Sequence, residues 1–92
     1  MINAEKAAAV REYLSLEFPG LEIKDHYESE RMAQCFEIGG GRVRSKAIIT
    51  KEFFEDHDEG EIPATLRSFL LAEHLRECDF TIIVTNHGLS TE

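Results

Sequence analysis

Residues 43–85 constrain the fold most, because the spacing of their apolar side chains changes twice. Apolar residues alternate with polar ones over 43–50, recur at helical spacing over 62–77 and form a nearly continuous run over 80–84. These patterns are typical of a half-buried strand, an amphipathic helix and a buried strand. Pro63 stands where a helix begins, since the first helical residue needs no N–H donor. The segment therefore predicts two parallel strands joined by a right-handed crossover helix.

The residues before this segment predict one more helix and two more strands. Asn3 can cap a helix whose apolar positions recur on one face until Pro19 ends it. Period-two alternation over 21–27 and 31–38 predicts two strands, and the glycines at 39–41 predict a turn into the next strand. Three successive alternating segments indicate an antiparallel meander with one solvent-exposed face.

Together these elements predict an α+β fold with the order α-β-β-β-α-β. Both helices should cover the apolar face of a four-stranded, mostly antiparallel sheet, which gives a two-layer sandwich. A length of 92 residues predicts a single domain over 1–92, with residues 88–92 as a fraying tail. In an unbroken meander the last strand lies at a sheet edge, where apolar residues favour pairing with another chain.

Charge and composition limit the classes of partner. A net charge of −8 disfavours nucleic acid and anionic membrane surfaces and favours cationic partners. No run approaches the roughly 20 apolar residues of a membrane span, and residues 1–10 lack the apolar core of a signal peptide. Cys35 and Cys78 form no CxxC pair. We therefore expect a cytoplasmic protein with reduced thiols and no membrane partner.

Some apolar residues remain uncovered once the predicted core face is assigned. Leu71 and Leu75 lie on a different side of the helix over 62–77 from its core face, and Ile83 points away from the core in the last strand. Apolar residues left over in this way indicate a contact surface. We therefore predict a small acidic protein-binding module without enzymatic activity, which forms a homodimer through Leu71, Leu75 and Ile83.

An alternative function is nucleic-acid binding by the solvent-exposed sheet face. Arg42, Arg44 and Lys46 share that face of the third strand. The aromatic residues that would stack on bases are missing there, because Tyr27 and Phe36 belong to the core-facing set. Cross-strand ion pairs explain the basic triplet more simply, so nucleic acid is not the expected partner.

A third hypothesis is an enzyme or ligand-binding domain with a polar pocket. Asp25, Gln34 and Ser45 share the alternation phase of the otherwise apolar sheet face. A carboxylate in that setting needs a hydrogen-bonding partner or a raised pKa. Placement of Asp25 at the sheet rim is the simpler explanation. The chain has no nucleophile elbow and no HExxH motif, so no catalytic residue is predicted.

Two segments contain metal-ligand residue types. The loop over 55–61 holds five carboxylates but lacks the spacing of an EF-hand. His74 and Cys78 are four residues apart near a helix end and could form a zinc site with His57 or His87. Such a site needs three or four convergent ligands, and the sequence supports only this one pair. We therefore predict no metal site and no cofactor, and the motifs indicate no family.

Overall fold

The computed structural model describes residues 2–40, 43–77 and 81–91, and for Val43 and Arg44 it describes the backbone alone. Within these ranges the chain forms four helices and five strands. The elements are α1 (Ala4–Glu17), β1 (Glu22–Glu28), β2 (Ala33–Gly40), β3 (Val43–Thr50), α2 (Lys51–Asp56), α3 (Ile62–Ser68), α4 (Leu71–Glu77), β4 (Ile82–Thr85) and β5 (Gly88–Thr91). The predicted α+β class is confirmed.

The five strands form one mixed sheet in the order β1-β2-β3-β4-β5. The first three strands are an antiparallel meander, β4 runs parallel to β3, and β5 is antiparallel to β4. The prediction of four strands with a fraying tail is therefore wrong. Residues 88–91 pair with β4 after a tight turn in which Gly88 has a φ of 119°. Because β5 takes the hydrogen bonds on that side, β4 does not lie at the predicted edge.

The helix predicted over 62–77 is two helices, because the chain turns between α3 and α4. Leu70 has a φ of 59°, and its N–H donates to the carbonyl of Arg67 at 3.0 Å. A residue with left-handed backbone just after the last turn is a common helix stop. The change in direction carries Leu71 and Leu75 into the core, where both are buried. They are therefore not on the surface that the predicted interface requires.

The helices bury their apolar faces against one face of the sheet. Helix α1 contributes the predicted stripe, and Thr50 caps α2 by accepting a hydrogen bond from the N–H of Phe53 at 3.3 Å. Each fully buried aliphatic or aromatic side chain contributes about 1.5–3 kcal/mol to folding. The largest members of this core include Val10, Leu14, Phe36, Ile49, Phe53, Phe54, Ile62, Leu66, Leu71 and Val84. None of the helices in the described parts of the chain is long and apolar enough to cross a lipid bilayer.

The opposite face of the sheet carries a second, smaller apolar cluster. Ala33, Cys35 and Ile48 are buried there, and Ile83 packs against them while staying partly exposed. All four residues belong to strands. The face predicted to be solvent-exposed is therefore apolar at its centre, and charged side chains from neighbouring positions surround that centre.

Candidate functional site

A cleft of about 440 Å³ lies between the outer sides of α1 and α3. Both walls come from helical positions spaced three or four residues apart, which place side chains on one helix face. On α3, Pro63 stands in the first turn and Arg67 follows four residues later. The principal lining residues are Glu5, Ala8, Glu12, Leu16, Pro63 and Arg67.

The sequence of α1 explains why this face remains open. Its strongly apolar positions, such as Val10 and Leu14, are buried against the sheet and the other helices. Short or charged residues occupy the neighbouring stripe, which includes Ala8 and Glu12. Leu16 is the exception, because 70% of its surface is exposed, more than for any other large apolar residue in the described ranges. It therefore offers an apolar contact at the open side of the cleft.

The rim of the cleft is acidic. Among the described lining residues, three carry carboxylates, Glu5, Glu12 and Glu59, and one, Arg67, carries a positive charge. Apolar side chains beside a negative rim suit recognition of a cationic, amphipathic group.

Two of the three predicted pocket residues come together, and their contacts are structural. Asp25 Oδ1 accepts hydrogen bonds from Nε and Nη2 of Arg11, the former at 3.1 Å, and Oδ2 accepts one from Gln34 Nε2 at 2.7 Å. Ser45 lies apart from this pair and donates to the carbonyl of Leu75 at 3.3 Å. Both oxygens of Asp25 are therefore occupied, and the three residues do not form the predicted pocket. The network instead ties α1 to β1 and β2.

The basic triplet is described only in part. Arg42 lies outside the described residues, and Arg44 lies on β3 without a described side chain. The ammonium of Lys46 is 3.9 Å from Glu28 Oε1. This pair agrees with the simpler explanation of cross-strand ion pairing for that residue. Nucleic-acid binding through the other two residues stays a prediction.

The predicted interface residues lie on two sides of the sheet. Leu71 and Leu75 pack in the main core beneath the helices. Ile83 contacts the smaller cluster on the other face. The structure therefore does not bring the three residues into one surface.

A polar cluster on the open sheet face was not predicted. His26 on β1 is directly opposite Cys35 on β2, and Glu28 is two residues further along β1. One ligand atom from each of the three side chains lies within 4.8 Å of the other two. His26 Nε2 is 3.3 Å from Glu28 Oε1. The alternation pattern places His26 and Cys35 on the same face, but their pairing depends on the register of the hairpin.

The surroundings of this cluster keep the thiol protonated at neutral pH. The pKa of Cys35 is raised to about 11, mainly by burial, while the nearby ammonium of Lys46 lowers it in part. The carboxylates of Glu28 and Glu37 contribute to the rise, the former also by accepting a hydrogen bond from the thiol. Glu28 is in turn paired with Arg31, whose Nε is 3.2 Å from Oε2. The cluster is a small network of charges around a neutral thiol.

The metal-ligand candidates considered from the sequence are separate from this cluster. A ring nitrogen of His74 is 2.8 Å from the carbonyl of Leu70, so that imidazole contacts the start of α4. Cys78 lies outside the described residues. In the acidic loop, Glu61 Oε1 accepts a hydrogen bond from the backbone N–H of Asp58 at 3.2 Å. These contacts stabilise local turns.

No protein-family model, curated protein or solved structure matches this chain. The functional argument therefore depends on the geometry of the cleft and of the polar cluster.

Proposed function

We propose that this protein is a non-enzymatic binding module whose α1–α3 cleft holds a cationic, amphipathic segment of another protein. The observation that carries the proposal is Leu16, which exposes 70% of its surface beside an acidic rim. An exposed leucine in a concave site gains free energy when a partner covers it. We also propose that the protein acts in the cytoplasm, where the thiols of Cys35 and Cys78 stay reduced.

The size and charge of the cleft favour a particular kind of partner. A volume of about 440 Å³ lies within the usual range of binding pockets, about 300–1,000 Å³. Apolar anchors at helical spacing commonly enter a groove of this kind. Lysine or arginine residues beside those anchors would meet Glu5, Glu12 and Glu59. The complementary charges would speed association and reject acidic segments.

A second copy of this chain fits the cleft less well than a cationic partner. Each copy carries a net charge of −8, so two copies repel each other before contact. The homodimer predicted from the sequence also relies on Leu71 and Leu75, both of which are buried in the core. A heterologous complex therefore agrees better with the charge and with the burial.

Two matched peptides test the proposal. The first is a synthetic helical peptide with leucines four residues apart and flanking lysines, and the second carries glutamate at every lysine position. Amide shifts of the full chain are recorded as each peptide is added at low salt. We expect the lysine peptide to shift resonances of α1 and α3, and the glutamate peptide to leave them unchanged.

A pair of variants locates the contact. Leu16→Lys places a cation beside the acidic rim and should weaken binding of the lysine peptide at least about tenfold, as expected for an anchor residue. Met32→Lys is the matched control, because Met32 is 55% exposed and does not line the cleft. Equal affinities for the two variants, or shifts confined to the open sheet face, would overturn the proposal.

A further inference from the structure

We infer that the open face of the sheet holds a zinc site whose ligands are His26, Glu28 and Cys35. Their ligand atoms, an imidazole nitrogen, a carboxylate oxygen and a thiol sulfur, lie within 4.8 Å of one another. The site is on the strands, apart from the α1–α3 cleft. It would therefore be a second activity that does not depend on the function proposed for the cleft.

The strand register accounts for the convergence of the three ligands. In an antiparallel pair, residues directly opposite each other have Cβ atoms about 4.5–5.5 Å apart on one face. His26 and Cys35 form such a pair, and Glu28 lies on the same face because side chains alternate with a period of two. Two paired strands thus hold all three side chains. Sites built on regular strands position their ligands more accurately than sites built on loops.

The distances require only a small adjustment. Zinc binds nitrogen, oxygen and sulfur ligands at about 2.0–2.3 Å in tetrahedral geometry, so ligand atoms around one ion are roughly 3.5 Å apart. The three ligand atoms are at present within 4.8 Å of one another, and rotation of the side chains can shorten these separations to the required value. His26 has the freedom to rotate, since 53% of its side chain is exposed.

The donor set selects the class of ion. Magnesium and calcium prefer oxygen ligands, and copper(I) prefers sulfur, whereas zinc accepts imidazole, carboxylate and thiolate together. Three protein ligands also leave a fourth position for water, as in the open type of zinc site. Cys35 is fully buried, and its apolar neighbours, which include Ile48 and Ile83, help to exclude water from the sulfur.

Metal binding replaces an existing network of contacts. The thiol of Cys35 gives up its proton to solvent as the sulfur–zinc bond forms, and the neutral imidazole of His26 contributes a lone pair. Glu28 leaves its contacts with Arg31 and Lys46, whose side chains are partly exposed and can turn toward water. The ion then takes over the role of these cations as the positive partner of the carboxylate.

Cobalt titration of the full chain tests the inference. The Cys78→Ser protein leaves Cys35 as its single thiol, so any sulfur-to-cobalt charge-transfer absorption reports on that residue. We expect this absorption to develop on addition of cobalt(II) and to disappear when zinc displaces the cobalt. Cys35→Ala in the same background should abolish it, and absence of the band before that change would overturn the inference.

Variants of His26 and Glu28 distinguish a site with three ligands from metal binding by the Cys35 thiol alone. His26→Ala and Glu28→Gln should each weaken cobalt binding at least about tenfold, because even outer partners of metal ligands change affinity 10–100-fold. His87→Ala is the control, since that exposed histidine lies in the turn between β4 and β5 and should leave affinity unchanged. Amide spectra verify that each variant is folded. Affinity independent of both His26 and Glu28 would contradict the three-ligand site.

Discussion

The hydroxyl of Tyr13 accepts a hydrogen bond from the backbone N–H of Ala72 at 3.2 Å in the buried contact between α1 and α4. The first N–H groups of a helix have no acceptor within that helix. Helix α4 starts directly after Leu70, whose left-handed backbone ends α3. Its first turn therefore receives a cap from a residue 59 positions earlier in the chain. This bond fixes the direction in which α4 leaves the break.

Removal of this hydroxyl should destabilise the fold measurably. Tyr13→Phe leaves the N–H of Ala72 buried without its acceptor, and such a loss costs about 1–3 kcal/mol of unfolding free energy. Urea unfolding followed by circular dichroism measures the change. Tyr27→Phe is the control, because it removes the same group from a partly exposed side chain of β1, and we expect less than about 0.5 kcal/mol there. Equal losses in both variants would contradict a capping role.

The same tyrosine should make the stability of the fold sensitive to high pH. Burial raises the pKa of Tyr13, the hydrogen bond from Ala72 lowers it in part, and the carboxylate of Glu17 raises it again. The unfolded chain deprotonates near the ordinary tyrosine value of about 10. The contribution of Tyr13 is therefore complete below that pH and is lost as the pH rises through the unfolded value toward the higher folded one.

Unfolding free energies measured between about pH 8 and pH 11 test whether the stabilisation from Tyr13 falls as the pH rises. The difference between the wild-type protein and Tyr13→Phe should stay constant below about pH 10 and shrink above it. Parallel curves over the whole range would show that the folded and unfolded pKa values of Tyr13 are the same.

The break between α3 and α4 predicts a stabilising substitution. Leu70 has a φ of 59° and is 51% exposed. Its left-handed backbone is therefore unfavourable, and burial of its side chain compensates for only a small part of that penalty. Leu70→Gly relieves a penalty of about 1–2 kcal/mol, and the added freedom of glycine in the unfolded chain offsets part of that gain. We expect a net increase of up to about 1 kcal/mol in unfolding free energy, with the helix break preserved.

Ala64→Gly provides the matched control for this effect. Ala64 is exposed in the regular part of α3, where glycine is less favourable than alanine by about 0.5–1 kcal/mol. The two glycine variants should therefore change stability in opposite directions. A loss of stability in both would show that Leu70 contributes contacts that outweigh its backbone strain.

Local periodicity made much of this fold predictable. The alternation over Val43–Thr50 gave that strand with its observed bounds, and Pro63 marked the first turn of α3. The break at Leu70 carries no local signal, since leucine is a good helix former and glycine is absent there. Strand β5 is short and mostly polar, and its pairing partner β4 determines whether it forms.

The candidate sites were harder to predict than the elements, because they depend on how elements meet. The alternation assigns His26 and Cys35 to one face, but their direct opposition requires the register set by the turn between β1 and β2. Leu16 was not among the contact residues predicted from the sequence. Its significance depends on the position of α3, which no periodicity supplies.

The contact of Asp25 with Arg11 and Gln34 predicts a structural penalty on removal of the carboxylate. Asp25→Ala leaves the amide of Gln34 without its acceptor at 2.7 Å, in a buried position of β2. We expect unfolding free energy to fall by about 1–3 kcal/mol, measured by urea unfolding. A double-mutant cycle with Arg11→Ala should give a coupling of about 0.5–1 kcal/mol, because 46% of the Arg11 side chain is exposed to solvent. An increase in stability on Asp25→Ala would instead contradict a structural role for this carboxylate.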